Sequence, residues 1–559
     1  MHAMFFLICG GEDMLTGYSI VDGKPLEASS EAGLDSNVGS FHGIDPATGM
    51  KLEPAYNYAS LEDLDRAANL AEDAFAVYSK LSGRERAIFL RHIAAGIEAI
   101  GARIVERANL ETALPEARLK GELARTVNQL RLFAQVVEED SWANARIDPA
   151  QPERKPLPRA DIRSVLRPLG PIAVFGSSNF PLAFSVAGGD TASALAAGNP
   201  VIVKAHSAHP GTSELVGQVV SESVRACGLP AGVFALLFGA GSELGAALVS
   251  HTAIKAVGFT GSLAAGRSLM KVAASRPEPI PCFMEMSSSN PLVVLPEALA
   301  TRGVEIAKGL FGSFTLGVGQ FCTKPGLVYL PQNEAADALA ATLKSLVEQS
   351  QASPMLTETI CGNHHSGVTA RKGNSAVEML AEGAAAAGSS YAAPALFQVS
   401  GNQLLHSPEL AHEIFGPSTL VIRYQDRAEL LALLNTVEGQ LTATVHGTDA
   451  DIAANADLIA ILERKAGRLL VNGFPTGVEV CHAMVHGGPF PATSESRMTS
   501  VGTQAIYRFV RPVCYQDFPQ AALPDELKNE NPLGIWRLVD GEFTRAAVVA
   551  GVPASAGKS

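Results

Sequence analysis

The spacing of apolar residues predicts helices in the first part of the chain. After Ser60 they recur at helical intervals, at Leu61, Leu64, Ala68, Ala71 and Phe75. Ser60 precedes acidic residues and is a suitable N-cap, because its hydroxyl can accept a bond from a backbone N–H of the first turn. The same periodicity continues through residues 84–101 and 125–139. We therefore predict a helical region ahead of residue 148.

The period then changes to short apolar runs that are typical of buried strands. These runs lie at residues 165–176, 199–206, 232–239, 254–261, 291–296, 326–330, 419–424 and 467–473. Helix-like stretches separate them, and such alternation indicates a parallel sheet covered on both faces. A polar, proline-rich stretch at 148–161 interrupts the pattern and predicts a linker or an exposed arm. The predicted fold class is α/β.

Composition narrows the classes of partner. The chain has 559 residues, enough for two or three domains, and a net charge of −13. This charge argues against nucleic acid as the main partner, since a phosphate-binding surface is expected to be basic. No apolar stretch is long enough to span a bilayer, so we expect no membrane partner. Residues 1–13 are interpreted as a disordered or non-native extension.

The cysteines indicate a reduced environment. There are seven, an odd number, and none form a CxxC pair. Neither a disulfide scaffold nor a zinc site is therefore expected. We predict a cytoplasmic protein without a metal, in which one cysteine is a nucleophile and the others are small core residues.

Three turns carry candidate binding groups. Asn179 follows a predicted strand and offers an amide on a loop held by Pro181, although a turn-forming asparagine is an equally simple interpretation. Lys204 ends a strand, where a side chain points into the ligand crevice of a parallel sheet or into solvent. Gly261 and Ser262 precede a helix whose N-terminus suits a pyrophosphate, or simply needs a cap.

The strongest pattern combines a glutamate with a cysteine. Glu285 stands beside three serines, and small neighbours would let its carboxylate move as a general base. Cys322 lies among glycines and Gln320, where the backbone can approach a ligand closely. A buried structural cysteine rarely needs such neighbours, so Cys322 is the candidate nucleophile.

Taken together, these motifs resemble the aldehyde dehydrogenase superfamily. The Asn-Phe-Pro turn at Asn179, the lysine at Lys204, the Thr-Gly-Ser turn at Ser262, the glutamate at Glu285, the Gly-Gln-x-Cys motif at Cys322 and the Glu-x-Phe-Gly-Pro segment at Glu413 and Phe415 occur in the family's order. The resemblance implies a Rossmann-like cofactor domain, an α/β catalytic domain and a β-hairpin oligomerisation arm. The implied ranges are 14–147 and 166–287 for the cofactor domain, 288–490 for the catalytic domain, 148–165 and 491–515 for the arm, and 516–559 for a C-terminal tail. The arm is expected to pair with a strand near 507–512.

The resemblance also implies a mechanism. Cys322 would attack the aldehyde, Asn179 would hold the oxyanion, and Glu285 would activate the water that hydrolyses the thioester. Glu413 and Phe415 would contact the nicotinamide half of the cofactor. The acidic residue that binds the adenosine ribose in NAD-preferring relatives is replaced by Ser207. We therefore predict that NADP⁺ is preferred and that NAD⁺ remains possible.

A closer resemblance suggests the substrate. The segments 285–291 and 531–541 resemble the branch of this family that oxidises α-ketoglutarate semialdehyde (2,5-dioxovalerate) in sugar and sugar-acid catabolism. A carboxylate substrate needs a cation, for which Arg118 and Arg125 are candidates, with Phe133 and Phe184 as apolar walls. Surface arginines are an equally simple interpretation. The chain departs from this branch at Ala113, usually glycine, and at Lys324, usually asparagine.

Three alternatives remain at this stage. A broad-specificity aldehyde dehydrogenase would share the same catalytic centre. The acylating branch of the family lacks the general-base glutamate, whereas Glu285 is present. A non-catalytic protein on this fold should have lost Cys322 or Glu285. The family's arm implies a homodimer or homotetramer.

Overall fold

In a computed structural model the chain is described at residues 15–26 and 39–548. The proposed extension at 1–13 lies outside these residues. The helices are α1 Leu61–Tyr78, α2 Gly83–Ala99, α3 Gly101–Thr112, α4 Glu116–Glu139, α5 Gly189–Ala197, α6 Pro210–Ala226, α7 Gly241–Ser250, α8 Leu263–Ala274, α9 Pro296–Thr315, α10 Glu334–Glu348, α11 Glu358–Lys372, α12 Gly401–His406, α13 Arg427–Thr436, α14 Asp449–Ala454 and α15 Ala456–Glu463.

The strands form three larger sheets and two two-stranded sheets in the described part of the chain. They are β1 Ile20–Val21, β2 Lys24–Pro25, β3 Ser40–Ile44, β4 Lys51–Asn57, β5 Arg146–Asp148, β6 Ile162–Pro168, β7 Ile172–Phe175, β8 Val201–Lys204, β9 Phe234–Leu237, β10 Ala256–Thr260, β11 Cys282–Glu285, β12 Pro291–Val294, β13 Leu327–Pro331, β14 Ser353–Pro354, β15 Glu378–Glu382, β16 Tyr391–Ala392, β17 Ala395–Ser400, β18 Ser418–Tyr424, β19 Gln440–His446, β20 Ala466–Val471, β21 Val510–Gln516, β22 Arg537–Val539 and β23 Glu542–Thr544.

Local sequence accounts for several helix ends. Ser60 caps α1 as predicted, and Asp63 returns a bond to the Ser60 backbone, which completes a capping box. At the other end of the helical region Ala113 closes α3 with φ of 53°. This left-handed conformation favours glycine, because it brings the Cβ of other residues too close to the following carbonyl oxygen.

The first sheet has a parallel centre whose carboxyl edge carries four candidate residues. Its strand order is β11-β10-β7-β8-β9-β1-β2, with parallel pairing from β11 to β9. Asn179 follows β7, Lys204 ends β8, Ser262 follows β10 and Glu285 ends β11. Carboxyl ends of parallel strands meet at one edge, where such sheets bind ligands.

The second sheet presents the nucleophile from the opposite direction. Its order is β15-β17-β18-β13-β12-β19-β20, parallel except for the β15–β17 pair. Cys322 lies just before β13, and Glu413 lies just before β18. These two side chains therefore face the carboxyl edge of the first sheet from the amino ends of adjacent strands.

The third sheet combines strands from the ranges predicted for the cofactor domain, the arm and the tail. Its order is β21-β6-β5-β22-β23, and β6 pairs with β21 antiparallel from Ile162–Gln516 to Pro168–Val510. β5 begins in the range predicted for the cofactor domain and ends at Asp148, in the predicted arm, whereas β22 and β23 come from the range predicted as a tail. The reason is burial, because Leu527 and Ile535 pack with Ile147 in one apolar cluster.

The arm also differs in detail from its predicted partner range. Residue 507 lies in a 3-10 helix, Thr503–Phe509, so the paired strand begins at Val510. Within the proline-rich stretch, pairing is limited to an isolated bridge between Gln151 and Arg159. None of the described helices combines the length and the apolar character needed to cross a bilayer.

Candidate active site

The two sheets enclose a cleft of about 740 Å³. Predicted site residues that line it are Asn179, Lys204, Gly261, Ser262, Glu285, Cys322, Glu413 and Phe415. Residues of α8 and α11 complete its walls, among them Ala265, Ile360 and His364. The structure therefore brings together most of the residues that the sequence singled out.

A tightly turned loop delivers Cys322 to the cleft. Gly317, Val318 and Gly319 all have left-handed backbones, with φ of 55°, 58° and 66°. A Cβ on Gly319 would lie 2.3 Å from the Gly416 carbonyl oxygen, so the close approach of these two loops requires glycine. This contact places the nucleophile loop against the segment that carries Glu413.

Two amides hold the backbone on either side of the cysteine. Asn179 Nδ2 donates to the Gln320 carbonyl at 2.9 Å, and Asn290 Nδ2 donates to the Cys322 carbonyl at 2.8 Å. An amide nitrogen carries two hydrogens. Asn179 therefore keeps one N–H for a group bound beside Cys322.

Glu285 is buried and belongs to a network that includes a histidine. His486, with no exposed surface, places Nε2 2.8 Å from Glu285 Oε1 and 3.5 Å from Cys322 Sγ. Ser500 Oγ donates to the other carboxylate oxygen, Oε2, at 2.7 Å.

The pKa of Glu285 is lowered overall, because His486 and Ser500 outweigh the burial that would raise it. Burial, followed by the Glu285 charge, raises the pKa of the Cys322 thiol well above its usual range.

The cleft also contains a buried ammonium group. Lys204 is 9% exposed and has no hydrogen bond or ion pair among the described residues. Burial lowers the pKa of its amine to about 8. A buried cation without a partner suits an anionic ligand. The N–H groups at the start of α8, capped by the Ser262 hydroxyl through the N–H of Ala265 at 3.2 Å, open into the same cleft.

Glu413 also lines the cleft. It accepts a short hydrogen bond from the Ser287 hydroxyl and one from the Ser288 N–H at 3.2 Å. Lys324 supports the same segment, because its ammonium group donates to the carbonyls of Ile414 at 3.0 Å and Ser418 at 2.9 Å. Lys324, which stands where the resembled branch usually has asparagine, thus holds the backbone on both sides of Phe415 through hydrogen bonds from its buried side chain.

Two arginines of α4 lie close enough to Cys322 for their charges to act on it. Arg118 Nη2 donates to the Asn179 carbonyl at 2.6 Å, and its guanidinium lies over the Phe321 ring at 4.6 Å. Arg125 lies over Phe184 at 5.2 Å, and its charge acts on both Cys322 and Glu285. Arg125 Nε and Nη2, which form one edge of the guanidinium, are buried without a partner in the described residues.

Comparison with known proteins decides the family. The model of the Aldehyde dehydrogenase family matches residues 34–489. The chain belongs to this family. It is an NAD(P)-dependent aldehyde dehydrogenase, an enzyme that oxidises an aldehyde to a carboxylic acid.

Close relatives are similar over nearly the whole chain. The chain is 50% identical over 529 residues to alpha-ketoglutaric semialdehyde dehydrogenase 2 of Azospirillum brasilense, covering 94% of this chain and 99% of the relative. It is 49% identical over 491 residues to alpha-ketoglutaric semialdehyde dehydrogenase of Acinetobacter baylyi, covering 88% and 93%. Betaine aldehyde dehydrogenase of Staphylococcus aureus superposes with a TM-score of 0.76 at 20% identity, covering 91% and 97%. This last likeness supports the aldehyde dehydrogenase fold alone.

Five predicted site residues are not among those that line the cleft: Arg118, Arg125, Phe133, Phe184 and Ser207. Phe133 is 1% exposed and packs in the apolar core beside Leu130 and Val137 on the inner face of α4, so it does not line the cleft. Ser207 is exposed on the loop after β8, and its neighbour His206 lines the cleft instead. The loop turns after His206, since the Ala208 N–H donates to His206 Nδ1 at 3.1 Å. Phe184, 8% exposed, packs 6.1 Å from the His486 ring.

Sequence reasoning missed His486, Ser500 and the cleft-side role of His206. One local signal for His486 existed, because two glycines and a proline follow it. A Cβ on Gly487 would lie 2.4 Å from the Met498 carbonyl oxygen, and one on Gly488 would lie 2.1 Å from that of Gln440. Such tight packing fixes the backbone that carries His486.

Proposed function

We propose that this enzyme oxidises α-ketoglutarate semialdehyde to α-ketoglutarate, with NADP⁺ as its preferred cofactor. The observation that carries the substrate is the buried edge of Arg125, whose Nε and Nη2 lack partners within the described residues. This edge has the geometry for two parallel hydrogen bonds to one carboxylate. The names of the two relatives at about 50% identity point to the same substrate.

The proposed chemistry begins at Cys322. Its sulfur adds to the aldehyde carbon, and the oxyanion that forms accepts bonds from the Asn179 amide and the Cys322 backbone N–H. A bound nicotinamide would supply the hydride acceptor needed to convert this adduct into a thioester. Glu285 then takes a proton from the water that attacks the thioester carbonyl. Cys322 leaves as the acid is released.

We assign stabilisation of the Cys322 thiolate to His486. The ionised Glu285 carboxylate can only accept a hydrogen bond, so His486 Nε2, 2.8 Å from Glu285 Oε1, carries the hydrogen. This nitrogen also lies 3.5 Å from Cys322 Sγ and can donate to the sulfur once the thiol proton has passed to water in the cleft. Because burial and Glu285 both disfavour the thiolate, a nearby hydrogen-bond donor is needed to stabilise it.

The preference for NADP⁺ rests on the charge around Lys204. The carboxylates that line the cleft are Glu285 and Glu413, and Glu413 contacts Ser287, two residues beyond Glu285. No lining carboxylate in the described chain therefore accompanies Lys204. His206 accepts a bond at Nδ1, so its neutral ring carries the hydrogen on Nε2. Lys204 and His206 would together favour a 2′-phosphate, and Glu413 and Phe415 would hold the nicotinamide half.

Steady-state kinetics test the proposal. Initial rates are compared for α-ketoglutarate semialdehyde, succinic semialdehyde and a neutral aliphatic aldehyde, each with NADP⁺ and with NAD⁺. The expected result is the highest kcat/KM for α-ketoglutarate semialdehyde with NADP⁺. Equal kcat/KM values across the aldehydes would instead favour a broad-specificity enzyme.

We also propose a homodimer or homotetramer in the cytoplasm, built through the arm formed by β6 and β21. β21 lies at the edge of its sheet and exposes alternate residues, so its outer edge is available for pairing. Light scattering of the purified protein should give two or four chains per particle. A monomer would contradict the proposed assembly.

A further inference from the structure

Three side chains of different ligating type converge at the nucleophile. Glu285, Cys322 and His486 each direct one ligand atom inward, and these atoms all lie within 4.8 Å of one another. Thiolate, imidazole and carboxylate are the three groups that bind zinc in proteins. In the chain, His486 is 164 residues from Cys322 and 201 residues from Glu285, so no sequence motif with a short spacing reveals the cluster.

The distance between the imidazole and the sulfur fits a tetrahedral ion. Zinc with Zn–N of about 2.05 Å and Zn–S of about 2.3 Å holds the two ligand atoms about 3.5 Å apart. His486 Nε2 and Cys322 Sγ are 3.5 Å apart. A carboxylate oxygen on the same ion would lie about 3.3 Å from the nitrogen, against 2.8 Å for Glu285 Oε1 and His486 Nε2. The carboxylate must therefore withdraw from the imidazole by about half an ångström.

A cation can reach this cluster from the cleft, and one of its coordination positions would remain open. Cys322 and Glu285 line the large cleft, whereas His486 lies behind them with no exposed surface. A cation entering from the cleft would thus meet the sulfur and the carboxylate first and the imidazole behind them. Its fourth position would face the cleft, as in zinc sites with three protein ligands and one water. Ser500 already holds the second oxygen of Glu285 at 2.7 Å, which orients the carboxylate.

We propose that Glu285, Cys322 and His486 form a binding site for a thiophilic divalent cation, best fitted by Zn²⁺, that switches the enzyme off reversibly. Binding exchanges the S–H bond of Cys322 for a Zn–S bond and releases one proton, with no change of oxidation state. Coordination draws electron density from the sulfur, and the ion stands where the aldehyde carbon would approach, so the attack is blocked. Inhibition rests on the proposed role of Cys322, whereas binding does not. Mg²⁺ and Ca²⁺ prefer oxygen ligands and should not compete.

Metal binding tests the site directly on the full-length enzyme. Zn²⁺ is titrated against a chromophoric chelator, and Co²⁺ is added to record the near-ultraviolet absorption that a cobalt–thiolate bond produces. We expect one tight equivalent per chain, a cobalt–thiolate band, and inhibition that follows occupancy and is reversed by EDTA. His486→Phe and Cys322→Ser should each weaken the tight site about 100-fold or more.

Matched variants separate this site from other histidines and thiols. His482→Gln and Cys514→Ser alter exposed residues and should retain the tight equivalent. Cys322→Ser covers the case in which His486→Phe fails to fold, since it changes a single atom. Tight binding that survives in Cys322→Ser, or the lack of a cobalt–thiolate band in the unmodified enzyme, would overturn the proposal. If the enzyme bound one equivalent of Zn²⁺ tightly but oxidised no aldehyde, the result would count against the proposed function and not against the metal site.

Discussion

Replacing Arg125 with methionine should damage the oxidation of a carboxylate aldehyde far more than that of a neutral one. Arg125 Nε and Nη2 are buried and have no partner among the described residues, and the proposed substrate carboxylate would pair with both. Hydrogen bonds to charged groups contribute about 1.5–3 kcal/mol each. Two such bonds at the lower limit give about 3 kcal/mol, which corresponds to roughly a 100-fold loss of kcat/KM.

The comparison between substrates isolates this effect. Arg125 also favours the Cys322 thiolate, because its positive charge lowers the pKa of that thiol against the effect of burial. Loss of that contribution slows the oxidation of every aldehyde by the same factor. This factor cancels when the kcat/KM values of two substrates are divided. The assay therefore measures kcat/KM for α-ketoglutarate semialdehyde divided by kcat/KM for butanal, in the native enzyme and in Arg125→Met.

Arg131→Met provides the matched control. Arg131 lies on the same helix, α4, but is exposed and pairs with Glu98 at the surface. Its replacement should leave the substrate ratio unchanged. If Arg125→Met lowered both kcat/KM values by the same factor, the guanidinium would not contact the substrate carboxylate, and the argument from its unpaired edge would fail.

Three further predictions concern other parts of the molecule. The pKa of Lys204 is about 8, so its charge is present below pH 8 and lost above it. The KM for NADP⁺ should therefore rise about fivefold between pH 8 and 9, and the KM for NAD⁺ should change less. His486→Gln should slow iodoacetamide alkylation of Cys322 at pH 7 about tenfold or more and move its pH profile upward, whereas a purely structural histidine would leave the profile of the folded variant unchanged. Ala113→Gly should raise the free energy of unfolding by about 0.5–1 kcal/mol, since it relieves a φ of 53°; denaturant titration would contradict this if stability fell.

The sequence predicted what depends on local pattern. The capping box at Ser60 and the short apolar strands are local features, and both are present in the structure. The motifs at Asn179, Glu285 and Cys322 were found because each combines turn residues with a reactive group over a few positions. Their meeting in one cleft follows from the two sheets, whose facing edges carry the ends of these strands.

Features that depend on distant contacts were missed or misplaced. His486 has partners 164 and 201 residues away, and nothing in its own segment names them. Phe133 and Arg125 share α4, yet one faces the core and the other faces Phe184, a difference set by how the helix packs. The last strands, β22 and β23, are three residues each, too short for a period to be read.

The central claim is that Cys322 carries the acyl group and Glu285 is needed to remove it. The most direct measurement is intact-protein mass spectrometry of Glu285→Gln mixed with NADP⁺ and α-ketoglutarate semialdehyde, together with the NADPH formed in the first turnover. The account predicts one equivalent of NADPH per chain and an acyl adduct that maps to Cys322 and is lost in Cys322→Ser. An adduct on another residue, or steady turnover without an adduct at the native rate, would contradict it.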